Sequence, residues 1–89
     1  MKEIKTFKLT NKLGLHARAA ATFVRIAQQY KSEIYLARNG QVVNGKSILG
    51  ILTLACPQGS ELTVKIEGKD AVAAMAALEK LIENKFGED

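Results

Sequence analysis

The feature that most constrains this chain is a stretch of strict alternation. Between Ser60 and Glu67, Leu62, Val64 and Ile66 alternate with Glu61, Thr63, Lys65 and Glu67. A period of two places the apolar side chains on one face of a strand and the polar ones on the other. Such a strand belongs to a sheet with one buried face and one wet face, the habit of antiparallel sheets. The buried face needs a covering layer, which points to helices packed on a single side.

The rest of the chain supplies that layer and the remaining strands. Lys2 to Leu9 reads as a strand with Phe7 and Leu9 on one face and Thr6 and Lys8 on the other, while Ile4 falls out of phase. Thr10 to Gly14 is a loop. Ala17 to Tyr30 reads as a helix, because Ala20, Phe23, Val24, Ala27 and Tyr30 recur at spacings of three and four. Ser32 to Arg38 is a strand with Ile34 and Leu36 inward. Asn39-Gly40 predicts a hairpin turn, since both residues tolerate positive φ, and Gln41 to Asn44 is the returning strand. Ser47 suits the N-cap of a short helix from Ile48 to about Thr53. After the Ser60–Glu67 strand, Gly68-Lys69 turns the chain and Asp70 is placed to cap a last helix, with Val72, Met75, Leu78, Leu81 and Ile82 as its apolar stripe. The order is β-α-β-β-α-β-α. The expected fold is an α+β open-faced sandwich, a four-stranded antiparallel sheet with three helices on one side, in one domain spanning residues 1–89.

Several functions are excluded by what is missing. The net charge is +4, yet the nine acids are interspersed among the thirteen bases and there are only five aromatics. A nucleic-acid binder would show a basic stripe with interleaved aromatics; a mildly basic surface suits acidic protein partners instead. Cys56 is the only cysteine, so no intramolecular disulfide can form and no metal site can be built around it. Met1-Lys2-Glu3-Ile4-Lys5 has no apolar core of a signal peptide, and no stretch approaches the ~20 apolar residues of a membrane span. A cytosolic protein without cofactor is expected. No second histidine is present to complete a zinc site or a Ser/His/Asp triad. Asn44-Gly45-Lys46-Ser47 lacks the spaced first glycine of a phosphate-binding loop.

The single histidine, His16, is the residue with chemistry to offer. It follows Gly14-Leu15 and immediately precedes the helical pattern. A helix start presents unpaired backbone N–H groups and the positive end of the helix dipole. Both suit an anion, and a phosphoryl group on the ring would find donors there. A neutral imidazole carries a lone pair able to attack phosphorus. Arg18, two residues on, can fork onto phosphate oxygens, and Lys12 adds positive field from the preceding loop. Position alone is equally compatible with a histidine that merely begins a helix.

Two motifs then carry a resemblance. Gly14-Leu15-His16-Ala17-Arg18 resembles the active-site motif of HPr, the histidine-containing phosphocarrier family of the phosphoenolpyruvate-dependent phosphotransferase system. Lys46-Ser47-Ile48-Leu49-Gly50 resembles the regulatory-serine motif of that family, at the family's separation. The element order, the Asn39-Gly40 turn and the length agree as well. The resemblance implies that His16 takes a phosphoryl group on Nδ1 from Enzyme I and passes it to an EIIA-type acceptor, with Arg18 steadying the group. It implies that Ser47 is a target of an ATP-dependent HPr kinase/phosphorylase, possible alongside N-capping. It implies a partner-docking patch of Ile48, Leu49 and Leu52 together with Ala20 on the first helix. The i, i+1, i+4 spacing of the first three cannot bury all of them on one stripe, so partial exposure is expected.

One position departs from the family pattern: Ala19 stands where proline usually follows the arginine. Alanine keeps the helix but frees its entry and adds an N–H donor. The expected protein is a monomeric carrier without independent turnover, without nucleic acid or membrane insertion. The rival reading is a regulatory binding module, nitrogen-type or Ser47-dependent, acting on sensors or transcription factors and not on sugar transport.

Overall fold

A computed structural model describes residues 1–88 of the chain. Its elements are β1 (Lys2–Lys8), α1 (Ala17–Ala27), β2 (Glu33–Arg38), β3 (Gln41–Asn44), α2 (Ile48–Thr53), β4 (Glu61–Glu67) and α3 (Ala71–Glu83), followed by a 3-10 turn at Lys85–Gly87. The four strands form one antiparallel sheet in the order β1-β4-β2-β3, so the strictly alternating strand lies between two neighbours. This is the expected open-faced sandwich, with the three helices over one face.

The register explains the faces. Leu62, Val64 and Ile66 pair with Phe7, Lys5 and Glu3 on one side. On the other, Val64 and Ile66 pair with Leu36 and Ile34. Leu36, Ile34, Leu62, Val64 and Ile66 are buried beneath Phe23, Ile51, Met75 and Leu78 of the helices. Ile4 falls in the outward row opposite Lys65 and is exposed, which is why it breaks the apolar phase of β1. Lys5 falls in the helix-side row at the sheet edge and extends its ammonium to Glu79 of α3, 2.6 Å away. The long apolar stem of lysine makes that compromise possible.

Three boundary expectations need correction. The first helix ends at Ala27, not Tyr30. The N–H groups of Gln29 and Tyr30 reach back only three residues, to Ile26 and Ala27, and Lys46 Nζ holds the Tyr30 carbonyl at 2.7 Å. Tightening of this kind commonly closes a helix end. Asp70 begins α3 but its side chain caps nothing there. Its carboxylate instead accepts from the N–H groups of Lys31 and Ser32, at 2.8 and 3.0 Å, and from the Ser32 hydroxyl. Those bonds draw its carboxyl below the usual range, the Ser32 hydroxyl most strongly. Val72 is half exposed and outside the apolar stripe, which runs Ala71, Ala74, Met75, Leu78, Ile82, with Leu81 partly buried at its margin. The run Ala71 to Leu78 is apolar at every position, so periodicity could not choose its face. None of the described helices is long and apolar enough to cross a membrane.

Candidate functional site

The loop from Thr10 to His16 is shaped by Gly14. Its φ of +60° is a left-handed value that favours glycine, and a Cβ there would stand 2.1 Å from the Cys56 carbonyl oxygen. That carbonyl accepts the Leu15 N–H at 2.8 Å, while Leu15 and Cys56 are both buried. The loop is therefore pressed onto the segment before β4, and His16 is delivered at a fixed point, as the N-cap residue of α1.

The helix start is open in the way an anion site requires. The first intrahelical bond runs from the Ala20 N–H to the His16 carbonyl, at 2.8 Å. The N–H groups of Ala17, Arg18 and Ala19 are left without an intrahelical acceptor. The His16 side chain makes no capping bond. Its Nε2 instead pairs with Glu88 Oε2. Nδ1 makes no hydrogen bond among the described residues, and the ring is partly exposed.

Two residues of this site were not expected from sequence. Asn11 is buried in the loop, and its Nδ2 donates to the Gly14 carbonyl at 2.7 Å and to Glu88 Oε1 at 3.0 Å. The Asn11 amide, more than any other neighbour, draws the Glu88 carboxyl below its usual range; burial opposes this, and the His16 ring and the Arg18 charge add to it. Glu88 returns to the site because the chain reverses after α3. Lys85 and Phe86 both take left-handed φ values, +55° and +56°, rare for such side chains. Each costs ~1–2 kcal/mol; burying the Phe86 ring returns a comparable ~1.5–3 kcal/mol.

Arg18, Lys12, Leu13, Gly87 and Glu88 line a shallow concavity of about 500 Å³ at this helix start. Arg18 is exposed and forms no ion pair among the described residues. Both cations singled out from sequence thus line the same concavity as Glu88, the partner of His16. The arrangement offers a ring nitrogen without a hydrogen-bond partner among the described residues, helix-start backbone donors and exposed positive charge around an open surface, which suits binding of a small anion.

Ser47 is the N-cap of α2, and its Oγ accepts the Gly50 N–H at 3.0 Å. It shares no hydrogen bond with His16 or Arg18 among the described residues. Ile48 and Leu49 beside it are 40% and 78% exposed, Leu52 is partly buried, and Ile51 alone on this helix points fully into the core. Ala20 is a correction. It is 0% exposed, packed in the core from the first turn of α1, and can touch no partner. Cys56 is buried, and burial pushes its thiol up despite the nearby Arg38 charge, which leaves it inert.

Comparison with known proteins gives this geometry its setting. Residues 4–84 match the family model for the PTS HPr component phosphorylation site. The chain is 45% identical to the phosphocarrier protein HPr of Treponema pallidum, over 97% of this chain and 98% of that one. The crystal structure of HPr-C-His from Thermoanaerobacter tengcongensis superposes with a TM-score of 0.94 at 44% identity, covering 98% of both chains. A crystal structure of an HPr dimer from the same organism gives 0.79 at 45% identity, covering 99% of this chain and all of that one. Sequence and fold agree over nearly the whole length, and the chain belongs to the HPr family of phosphocarrier proteins of the phosphotransferase system.

Proposed function

We propose that His16 accepts a phosphoryl group on Nδ1 from Enzyme I, itself charged by phosphoenolpyruvate, and passes it to EIIA-type acceptors. The observation that carries this reading is the state of the His16 ring at the start of α1: Nε2 is engaged by Glu88, while Nδ1 has no hydrogen-bond partner among the described residues and the ring is partly exposed. In the transfer, the Nδ1 lone pair forms a bond to phosphorus as the donor's bond to phosphorus breaks and its electron pair leaves with the donor. Onward transfer runs the same exchange with His16 as the leaving group. Arg18 and the first-turn N–H groups steady the transferred oxygens, and Lys12 adds field. The shallow concavity contains no enclosed substrate pocket, which fits a carrier whose reactions are completed by partner proteins.

Ser47 is the regulatory site in this proposal, phosphorylated by an HPr kinase/phosphorylase with ATP. The exposed Ile48 and Leu49, with Leu52, form the docking patch beside it; Ala20 is left out because it is buried. A phosphate at the N-cap would add ~−1.5 to −2 charge next to that patch. The fold tolerates it where the helix start favours anions, while an acidic partner is repelled. The same placement favours a second reading, in which the Ser47 state sets contact with a sensor or transcription factor and not with sugar transport. In either reading the chain acts as one domain in the cytoplasm and as a monomer; one copy supplies His16, Lys12, Arg18 and Glu88, so the chemistry needs no second copy even if the chain can pair as the Thermoanaerobacter tengcongensis HPr dimer does.

The transfer test is a chase. Protein labelled through Enzyme I and phosphoenolpyruvate is mixed with an EIIA domain. Label moving to EIIA supports the relay; label that stays favours the regulatory reading. Kinase plus ATP should give an acid-stable adduct lost in Ser47→Ala, and that adduct should slow acceptance from Enzyme I. An unchanged rate would show the repulsion argument to be wrong.

A further inference from the structure

We propose that Glu88, held by Asn11, is a positioning residue that selects Nδ1 of His16 as the nitrogen to be phosphorylated. The inference rests on the reading of His16 as the phosphoryl site and deepens it.

One carboxylate carries two contacts. Oε1 accepts from the buried Asn11 amide at 3.0 Å, and Oε2 meets His16 Nε2. Asn11 also clasps the Gly14 carbonyl, so the carboxylate is referenced to the same loop that delivers His16. The His16 and Glu88 side chains are only 22% and 16% exposed, which limits competition from water. The left-handed pair Lys85 and Phe86, with the Phe86 ring buried, turns the chain back and fixes where Glu88 stands.

The chemistry follows from which ring nitrogen keeps its hydrogen. A neutral imidazole has one N–H and one lone pair, and the partner of one nitrogen decides the tautomer. A carboxylate at Nε2 holds the N–H there and leaves the lone pair on Nδ1. It also blocks the alternative, because an anionic phosphoryl donor approaching Nε2 meets a negative charge. When Nδ1 bonds to phosphorus, the donor's bond to phosphorus breaks and its electron pair leaves with the donor. The Nε2 hydrogen stays in place, and the positive charge that develops on the ring faces Glu88.

The test uses phosphoramidate, a small donor that brings no protein surface to choose the nitrogen. Its P–N bond breaks and ammonia leaves with the electron pair. The full chain, Glu88→Ala and Glu88→Gln are treated at neutral pH, and ¹⁵N–³¹P couplings report which ring nitrogen carries phosphorus. Amide spectra confirm that each variant is folded. The expected result is Nδ1 in the unaltered protein and an Nε2-to-Nδ1 ratio raised at least about tenfold in Glu88→Ala, the size of a lost charge-assisted hydrogen bond. Glu88→Gln keeps one carbonyl oxygen and falls between. Asn11→Ala shifts the ratio the same way; should it fail to fold, the two Glu88 variants decide alone. A ratio in Glu88→Ala within twofold of the unaltered protein overturns the positioning role alone. Absence of any His16 adduct in the unaltered protein overturns the reading on which it rests.

Discussion

Replacing Gly14 with alanine tests whether the loop geometry, and not His16 alone, makes the site. The backbone there has φ +60°, and the new Cβ would meet the Cys56 carbonyl oxygen at 2.1 Å and two Pro57 backbone atoms at 2.8 and 2.9 Å. Gly40 is the matched control, with φ +83° and nothing within 4 Å of its Cβ position. At Gly40 the left-handed cost of ~1–2 kcal/mol is partly offset by ~0.4–1 kcal/mol of lost unfolded-state freedom, leaving about 0–1.5 kcal/mol. At Gly14 the overlap is with backbone that cannot rotate away, which adds a further ~1–3 kcal/mol. Gly14→Ala should therefore cost about 3 kcal/mol. For a domain of this size that lowers Tm by roughly 10–20 °C, against a few degrees for Gly40→Ala. Calorimetry on both variants measures the difference. The loop must also shift to make room, so phosphorylation through Enzyme I should slow in Gly14→Ala well below its Tm and stay unchanged in Gly40→Ala. Two variants within ~0.5 kcal/mol of each other would refute the reasoning, since only the overlap separates them.

Ser47→Ala should cost ~1 kcal/mol through loss of the N-cap, whereas Ser47→Asp keeps an acceptor for the Gly50 N–H and should stay near the original Tm. Leu49→Glu, at an exposed position, should leave Tm unchanged while raising KM for Enzyme I or EIIA; an unchanged KM would remove Leu49 from the docking patch. Asp70 gives a pH signature. Its folded pKa lies below the unfolded value of ~3.9, so its contribution is present above that pH and fades as the pH falls through the folded value. The stability gap between the unaltered protein and Asp70→Asn should thus be full at neutral pH and narrow below about pH 4. A gap independent of pH would show that its hydrogen bonds to Ser32 and Lys31 do not favour the charged form.

The sequence was legible wherever local pattern and local chemistry coincide. The alternation in β4 named the buried face of the sheet, Asn39-Gly40 named the hairpin, and Ser47 named a real cap. His16 was placed correctly because a helix start can be read from the residues around it. Legibility failed where composition is uniform or partners are distant. The alanine-rich face of α3 hid the true stripe and cast Val72 inward. For Ala20 the resemblance and the periodicity point different ways, and its spacing to Phe23, Val24 and Ala27 is the one that matches its burial. Asp70 sits where a cap belongs, yet its carboxylate serves the turn before β2. Asn11 and Glu88 carried no signal as a pair, since 77 positions separate them and only the fold brings them together. An acidic residue close behind a buried aromatic, in a chain with one histidine, is the faint clue that could have suggested the contact.

The most direct test of the account is to locate the phosphoryl group after incubation with phosphoenolpyruvate and Enzyme I. The account predicts one acid-labile adduct, on His16, absent from a folded His16→Ala variant. A label that persists in His16→Ala would contradict it.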